Sequence, residues 1–416
     1  MSEPTSPLQI PDYRRYWIAR LFGVASTLSM VVLLGYQTYD VARADYGMSI
    51  RDASFLLGLL GLAQFVPLFI LTPVAGYTAD RFDRRHVAAC ANLVDIGIAL
   101  AIAIVTWRDG LSLPFLFAMA AAHGAARVFF SPAMSAIAPN IVPPKLLPRA
   151  VALGSIAFTV GQVSGPAAGG LLFAMDASLP FFVSAGMLAC TAVLVLSVRP
   201  IRVQKRSNLH PVRQMVEGLK FTWRDRFLLG CISLDLFAVI LAGATALLPV
   251  FARDILHVGP EGLGFMRAAP AVGAGLVALT LSFRPLENNV GVKMLWAVAI
   301  FGLVTIAFGL SRNYMLSLGL LAVLGAADMV SVFVRSTLVQ LNTPDEMRGR
   351  VSSISGLAIS ASNELGEMQS GIVAAIIGAT GAVVFGGAGA IVITAIWALI
   401  FPELRWAKTF APQYRD

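Results

Sequence analysis

The stretch GLAQFVPLFILTPVAGYTADRFDRR, Gly61 to Arg85, runs from an apolar segment into the densest charge cluster of the chain. Three arginines and two aspartates fall within its last ten residues, in a protein that is 13% charged and 57% hydrophobic. A water-soluble domain carries roughly 45–50% apolar and about 25% charged residues, so this composition holds more apolar surface than a water-exposed fold can cover. Apolar runs of about 18 residues or more, closed by charge, read as membrane-spanning helices. Gly61–Arg85 is then the end of one span and the short hairpin that leads into the next.

The same pattern repeats on both sides. Six such runs lie between Trp17 and Val198, and six more between Phe227 and Phe401. A helix rising 1.5 Å per residue crosses a hydrocarbon core of about 30 Å in about 20 residues. Nothing alternates with period two, as barrel strands do, so the spans are helical. The predicted class is an all-α integral membrane protein with twelve transmembrane helices in two six-helix bundles. Residues 1–198 form the first bundle, 199–226 a basic linker, and 227–416 the second bundle. The N-terminus, MSEPTSPLQIPDYRRYW, has no signal-peptide pattern, so the first span is expected to stay in the mature protein.

The net charge of +8 belongs to loops, which removes the case for nucleic acid as a partner. Arg14 and Arg15, the hairpin arginines, Lys145 and Arg149 lie on one side. The linker adds Arg199, Arg202, Lys205, Arg206, Arg213, Lys220, Arg224 and Arg226, and the C-terminus adds Arg405, Lys408 and Arg415. The positive-inside rule places both termini and the linker in the cytoplasm, across a bacterial-type inner membrane. A linker this basic suits the anionic surface of the inner leaflet.

An enzyme needs a nucleophile with a base, or a metal cluster. The four histidines, His86, His123, His210 and His257, are scattered over different elements, and Cys90, Cys190 and Cys231 have no metal spacing. HExxH, GxSxG and Walker A patterns are all missing. The expectation is a non-enzyme without cofactor or metal. Its partners are a small-molecule substrate, protons and the lipid bilayer, and it acts as a monomer.

Within the hairpin, Gly76 is expected to let two helices approach closely. Asp80 can cap a helix or pair with an arginine, and Arg81, Arg84 and Arg85 can bind carboxylates or lipid phosphates. A second motif, GQVSGPAAGG, lies in span 5. Gly161, Gly165 and Gly169 repeat every four residues and share one helix face, followed by Gly170; Pro166 removes a backbone donor and favours a kink.

These two motifs carry a resemblance. GYTADRFDRR resembles the loop 2–3 signature of the major facilitator superfamily, with Asp83 where a glycine is usual. The span 5 pattern resembles that superfamily's antiporter motif. The twelve spans, six-plus-six division and linker extend the likeness over nearly the whole chain. DYRRYWIARLF, SPAMSAIAPNIVP and TPDEMRGRVSSISGL make it similar to the superfamily's twelve-span drug and siderophore exporters. The resemblance implies the major facilitator fold and assigns Asp80 and Arg81 to an ionic latch that holds the halves together. It also implies that the span 5 motif serves export.

Ionisable groups at mid-membrane cost roughly 2.5–3.5 kcal/mol each, so each one needs a reason to be there. Span 4 carries His123 and Arg127 on one face; span 3 carries Asp95 and span 7 Asp235; span 10 carries Asp328 and Arg335 on one face. Span 11 carries Asn363, Glu364 and Glu367. Two carboxylates three residues apart in a low-dielectric pocket cannot both ionise cheaply, so the pair can hold a proton that a cationic partner displaces. Glu364, Glu367, Asp235 and Asp328 are the candidate proton carriers. Arg127, Arg335, His123, Asn363, Phe129 and Phe237 are the candidate substrate ligands, the aromatics lining a cavity for bulky amphiphiles.

The reading is a proton-coupled antiporter that exports small lipophilic or amphiphilic molecules, such as drugs or siderophores, by alternating access. The alternative is a lysophospholipid transporter of the same fold. An uptake symporter is disfavoured by the span 5 motif.

Overall fold

Backbone at membrane depth finds no water to bond, so each apolar run satisfies its own N–H and C=O groups as a helix. The computed structural model describes residues 6–200, 211–284 and 286–410, and among these it contains helices and no strand. The first spans are α1 (Pro11–Ala44), α2 (Ile50–Arg81), α3 (Arg84–Trp107), α4 (Leu113–Ser135), α5 (Leu147–Met175) and α6 (Leu179–Leu196). A linker helix, α7 (Pro211–Arg224), follows. Then come α8 (Arg226–Leu241), α9 (Gly259–Phe283), α10 (Val290–Leu310), α11 (Tyr314–Leu341) and α12 (Asp345–Ile400). Arg202, Lys205, Arg206 and Arg415 lie outside the described residues, as do the side chains of Arg213 and Asp80.

Eleven described helices are long and apolar enough to cross a membrane. The last is double: α12 bends at Gly378, where φ 82° and ψ 162° suit only glycine, so its two limbs supply two crossings. That brings the crossings to the twelve expected. Local sequence sets the helix ends. Asp83 caps α3 by accepting from the Arg85 backbone N–H, Asp225 caps α8 by accepting from Leu228, and Asn313 caps α11 by accepting from Leu316. Proline opens α1, α4 and α6, where its missing donor costs nothing.

The contacts define two units. The first comprises the described parts of Met1–Tyr46, Ala63–Asn208 and Val258–Ala268. The second comprises those of Gly47–Leu62, Leu209–His257 and Ala269–Asp416. Sequence places a single boundary in the linker; the contacts add two exchanges, residues 47–62 and 258–268. In the first unit α1 lies along α5 and α6, and α3 along α4 and α6, over a core that includes Tyr13, Tyr16, Phe130, Ile137 and Val195. In the second, α12 lies along α8 and α10, and α10 along α11, over Leu228, Met294, Val334, Leu338 and Leu404.

Candidate functional site

The two glutamates sit where α12 meets α2 and the end of α8 through glycines. Glu364 is buried and Glu367 half-buried on α12, while Asn363 is exposed. Gly61 of α2 faces them: a β-carbon there would lie 3.1 Å from Glu367 Cβ, 3.3 Å from its Oε2 and 3.6 Å from the Glu364 carbonyl. One turn earlier, a β-carbon at Gly58 would lie 3.0 Å from the Cα of Gly371. From the third side, α8 ends at Leu241 and the chain passes through Gly243 into a 3₁₀ turn. A β-carbon at Gly243 would lie 3.0 Å from the Cα of Gly366, the residue between Glu364 and Leu365 on one side and Glu367 on the other. Irregular backbone at membrane depth is tolerated only where protein buries it or a cavity solvates it. The carboxylates therefore lie beside a helix break and against glycine-smooth surfaces.

In the same unit, Arg335 of α11 forms an ion pair with Asp235 of α8, both less than a tenth exposed. Asp328, half-buried, lies two turns earlier on α11, about 10 Å along the helix at 1.5 Å per residue. The structure thus joins Asp235 to Arg335, a proton candidate to a substrate candidate. Phe237 faces the other way, two residues beyond Asp235, 41% exposed and with its ring 5.3 Å from that of Trp397.

In the first unit, His123 Nδ1 lies 2.9 Å from Asp95 Oδ1, with both groups buried. Arg127, half-buried, follows one turn later on α4. Gly124 lets α4 reach the α2 backbone: a β-carbon there would lie 2.9 Å from the Cα of Gln64. Gln64 and Asn92 are buried amides that motif reasoning passes over. Their signal is faint, an amide in an otherwise apolar run. Phe129 packs against Leu68, Ala75 and Val128 and lines an apolar crevice of about 530 Å³ with Phe82, His86 and Cys90.

The hairpin is built differently from expectation. Arg84 donates to the Ala136 carbonyl at 3.1 Å. Arg85, 7% exposed, donates to Asp83 at 2.7 Å and to the Val198 carbonyl. These two guanidiniums staple α3 to neighbouring helix ends, and of the two expected partners, carboxylates and lipid phosphates, Arg85 takes a carboxylate, that of Asp83. Arg81 is exposed. Burial alone raises the Asp83 carboxyl, but the Arg85 side-chain and backbone hydrogen bonds and the nearby positive charges outweigh it and hold it below the usual carboxylate range. Asp83 adopts φ −61° and ψ 118°, ordinary extended backbone, so the position needs no glycine. At Gly76, among the described residues, nothing lies within 4 Å of where a β-carbon would be.

Span 5 does use its glycines for close approach. A β-carbon at Gly161 would lie 3.0 Å from the Leu21 carbonyl, and one at Gly165 would lie 2.8 Å from the Cα of Ala25. Gly169 presses on Ser29, so this face packs on α1. Pro166 stays within the helix, and a β-carbon at Gly264 of α9 would lie 2.6 Å from its carbonyl and 3.2 Å from the Cα of Gly170. The two glycines can therefore be told apart by mutation. Gly165→Ala should lower thermal stability by about 1–3 kcal/mol, the usual cost of overpacking. Gly76→Ala should leave the melting curve unchanged or raise it slightly, since an open helical site gains from alanine. Equal melting shifts for the two variants would contradict this packing.

The model of the Major Facilitator Superfamily matches residues 19–367. The chain is 26% identical over 414 residues to the enterobactin exporter of Shigella boydii, covering 97% of this chain and 95% of that one. A POT family transporter in complex with 5-aminolevulinic acid superposes with a TM-score of 0.76 at 12% identity, covering 94% of this chain and 96% of that one. A bacterial homologue of the human lysosomal transporter Spinster, inward-facing and unoccupied, superposes with a TM-score of 0.68 at 14% identity, covering 98% of each chain. Both superpositions speak to fold alone.

Proposed function

The chain belongs to the Major Facilitator Superfamily, and on that premise we propose that it is a proton-coupled antiporter of the inner membrane. It exports small lipophilic or amphiphilic molecules of drug or siderophore type by alternating access. The observation that carries this reading is the carboxylate pair Glu364 and Glu367, held on α12 against Gly61 and beside the break after α8. A carboxylate at a site built from glycine contacts can be shut off or exposed by small helix shifts, because glycine lets neighbouring backbones approach closely and slide. Outbound cargo and inbound proton then compete for one site. The direction of transport draws on the exporter relative, which matches along 97% of this chain. The linker and both termini lie in the cytoplasm on this reading, following the distribution of lysine and arginine.

Arg335 holds Asp235 in the described conformation, and Asp328 waits two turns away on the same helix face. The guanidinium is a cation that can be passed between acids as the helices shift, which ties protonation to access. Purified protein in proteoliposomes should export a siderophore or a lipophilic drug only when a pH gradient or membrane potential is imposed. Transport that ignores both gradients would remove proton coupling.

The apolar crevice beside Phe129 favours a second reading, lysophospholipid movement, since about 530 Å³ is the scale of a small-molecule site. Headgroup-labelled lysolipid crossing liposomes without a pH gradient would decide for it.

A further inference from the structure

Helix α7 has two different sides. Its inner side is docked. Glu217 pairs with Arg350 of α12 at 3.0 Å, and Thr222 is buried. A β-carbon at Gly218 would lie 3.0 Å from both Cβ and the carbonyl oxygen of Arg350. Its outer side carries Val216, Leu219 and Trp223, which are 42%, 49% and 70% exposed. At about 100° per residue these three fall within an arc of roughly 60°, immediately beside the docked face. The next arc carries Lys220 and Arg224, both exposed. Around the helix the order is protein contact, bare apolar strip, cationic strip.

A tryptophan and a leucine left bare on a charged helix lose apolar burial at about 25 cal/mol per Å² if water covers them. Connectivity says what covers them instead. Asp225 alone separates α7 from α8, a membrane crossing, so α7 lies at the end of a span, at interface depth. Tryptophan favours that depth, and lysine and arginine beside it meet anionic headgroups.

We propose that α7 is a binding surface for anionic phospholipid. Val216, Leu219 and Trp223 enter the boundary between headgroup and acyl chain, and Lys220 and Arg224 contact the phosphates. Through Glu217 and Arg350 the occupied surface holds the first turns of α12, the helix that carries Glu364 and Glu367. The inner-leaflet assignment rests on the cytoplasmic linker proposed above, whereas the lipid contact does not.

The test uses the full chain reconstituted in vesicles whose phospholipids, either phosphatidylcholine alone or phosphatidylcholine with phosphatidylglycerol, are all brominated near the headgroup end of the acyl chain. The emission difference between the parent and Trp223→Phe isolates one indole among six tryptophans. That difference emission should be lost to bromine quenching, more completely when phosphatidylglycerol is present. Lys220→Gln with Arg224→Gln should remove the extra quenching from the anionic lipid and leave the rest. Difference emission quenched by aqueous iodide and untouched by bromolipid would overturn the proposal, because water then covers the strip. Emission sheltered from both quenchers would overturn it as well, because another protein surface then covers the strip. Orientation is tested separately, by labelling Arg206→Cys with a membrane-impermeant maleimide in intact cells against the parent chain. Labelling from outside would sink the inner-leaflet assignment and leave the bromolipid result standing.

Discussion

Glu364→Gln and Glu367→Gln are each expected to abolish substrate-driven proton release from proteoliposomes while the protein still purifies folded. Glutamine keeps the shape of glutamate, so the contact of Gly61 with the Cβ of Glu367 survives in the variant. What it removes is the exchangeable proton. One charge moving down 100 mV supplies about 2.3 kcal/mol, equivalent to about a fifty-fold concentration ratio of cargo. A variant without the carrier loses that concentrating power, yet substrate can still run downhill and exchange across the membrane. The pattern to measure is therefore a split, with accumulation and proton release lost and equilibrium exchange kept. Proton release at the parent rate in both variants would take the proton site away from α12. Loss of exchange as well would show that the carboxylates serve cargo binding rather than coupling alone.

Sequence carries the helices well and their partners poorly, for a physical reason. Long apolar runs bounded by charge are one-dimensional signals, so the crossings and the basic linker can be read along the chain. In water, an amphipathic stripe would also tell which face of a helix is buried. In a bilayer both faces are apolar and the stripe vanishes. On α6, Phe181 is fully buried while its neighbour Phe182 is 39% exposed, and nothing in their chemistry separates them. The same gap hides the facing of Phe129 and Phe237. Pairing is equally silent: Asp95 meets His123 across 28 residues, a distance that no helical periodicity encodes. Glycine is ambiguous for a further reason. At Gly165 it makes room for a backbone and at Gly76 it faces open space among the described residues, yet the letter is the same.

Arg335→Ala should produce the largest loss of stability of any substitution considered. The guanidinium is 4% exposed and is ion-paired to Asp235, itself 9% exposed. Removing one member of a buried pair strands the other charge without water, at a cost of about 3–5 kcal/mol. A protein of ordinary stability, about 5–15 kcal/mol, loses a large share of its margin this way. The expected observation is a marked fall in monodisperse protein on size-exclusion chromatography and a lowered melting temperature in detergent. Adding Asp235→Asn to Arg335→Ala removes the stranded charge and should recover most of the loss, giving a double-mutant coupling of opposite sign to the single effects. The recovered double variant then answers the functional question. If Arg335 also moves between Asp235 and Asp328 during transport, the folded double variant will bind cargo yet fail to couple it to protons. A double variant as unstable as Arg335→Ala alone would mean that the guanidinium matters for something other than its acid partner. One that folds and still couples would assign the pair to structure only.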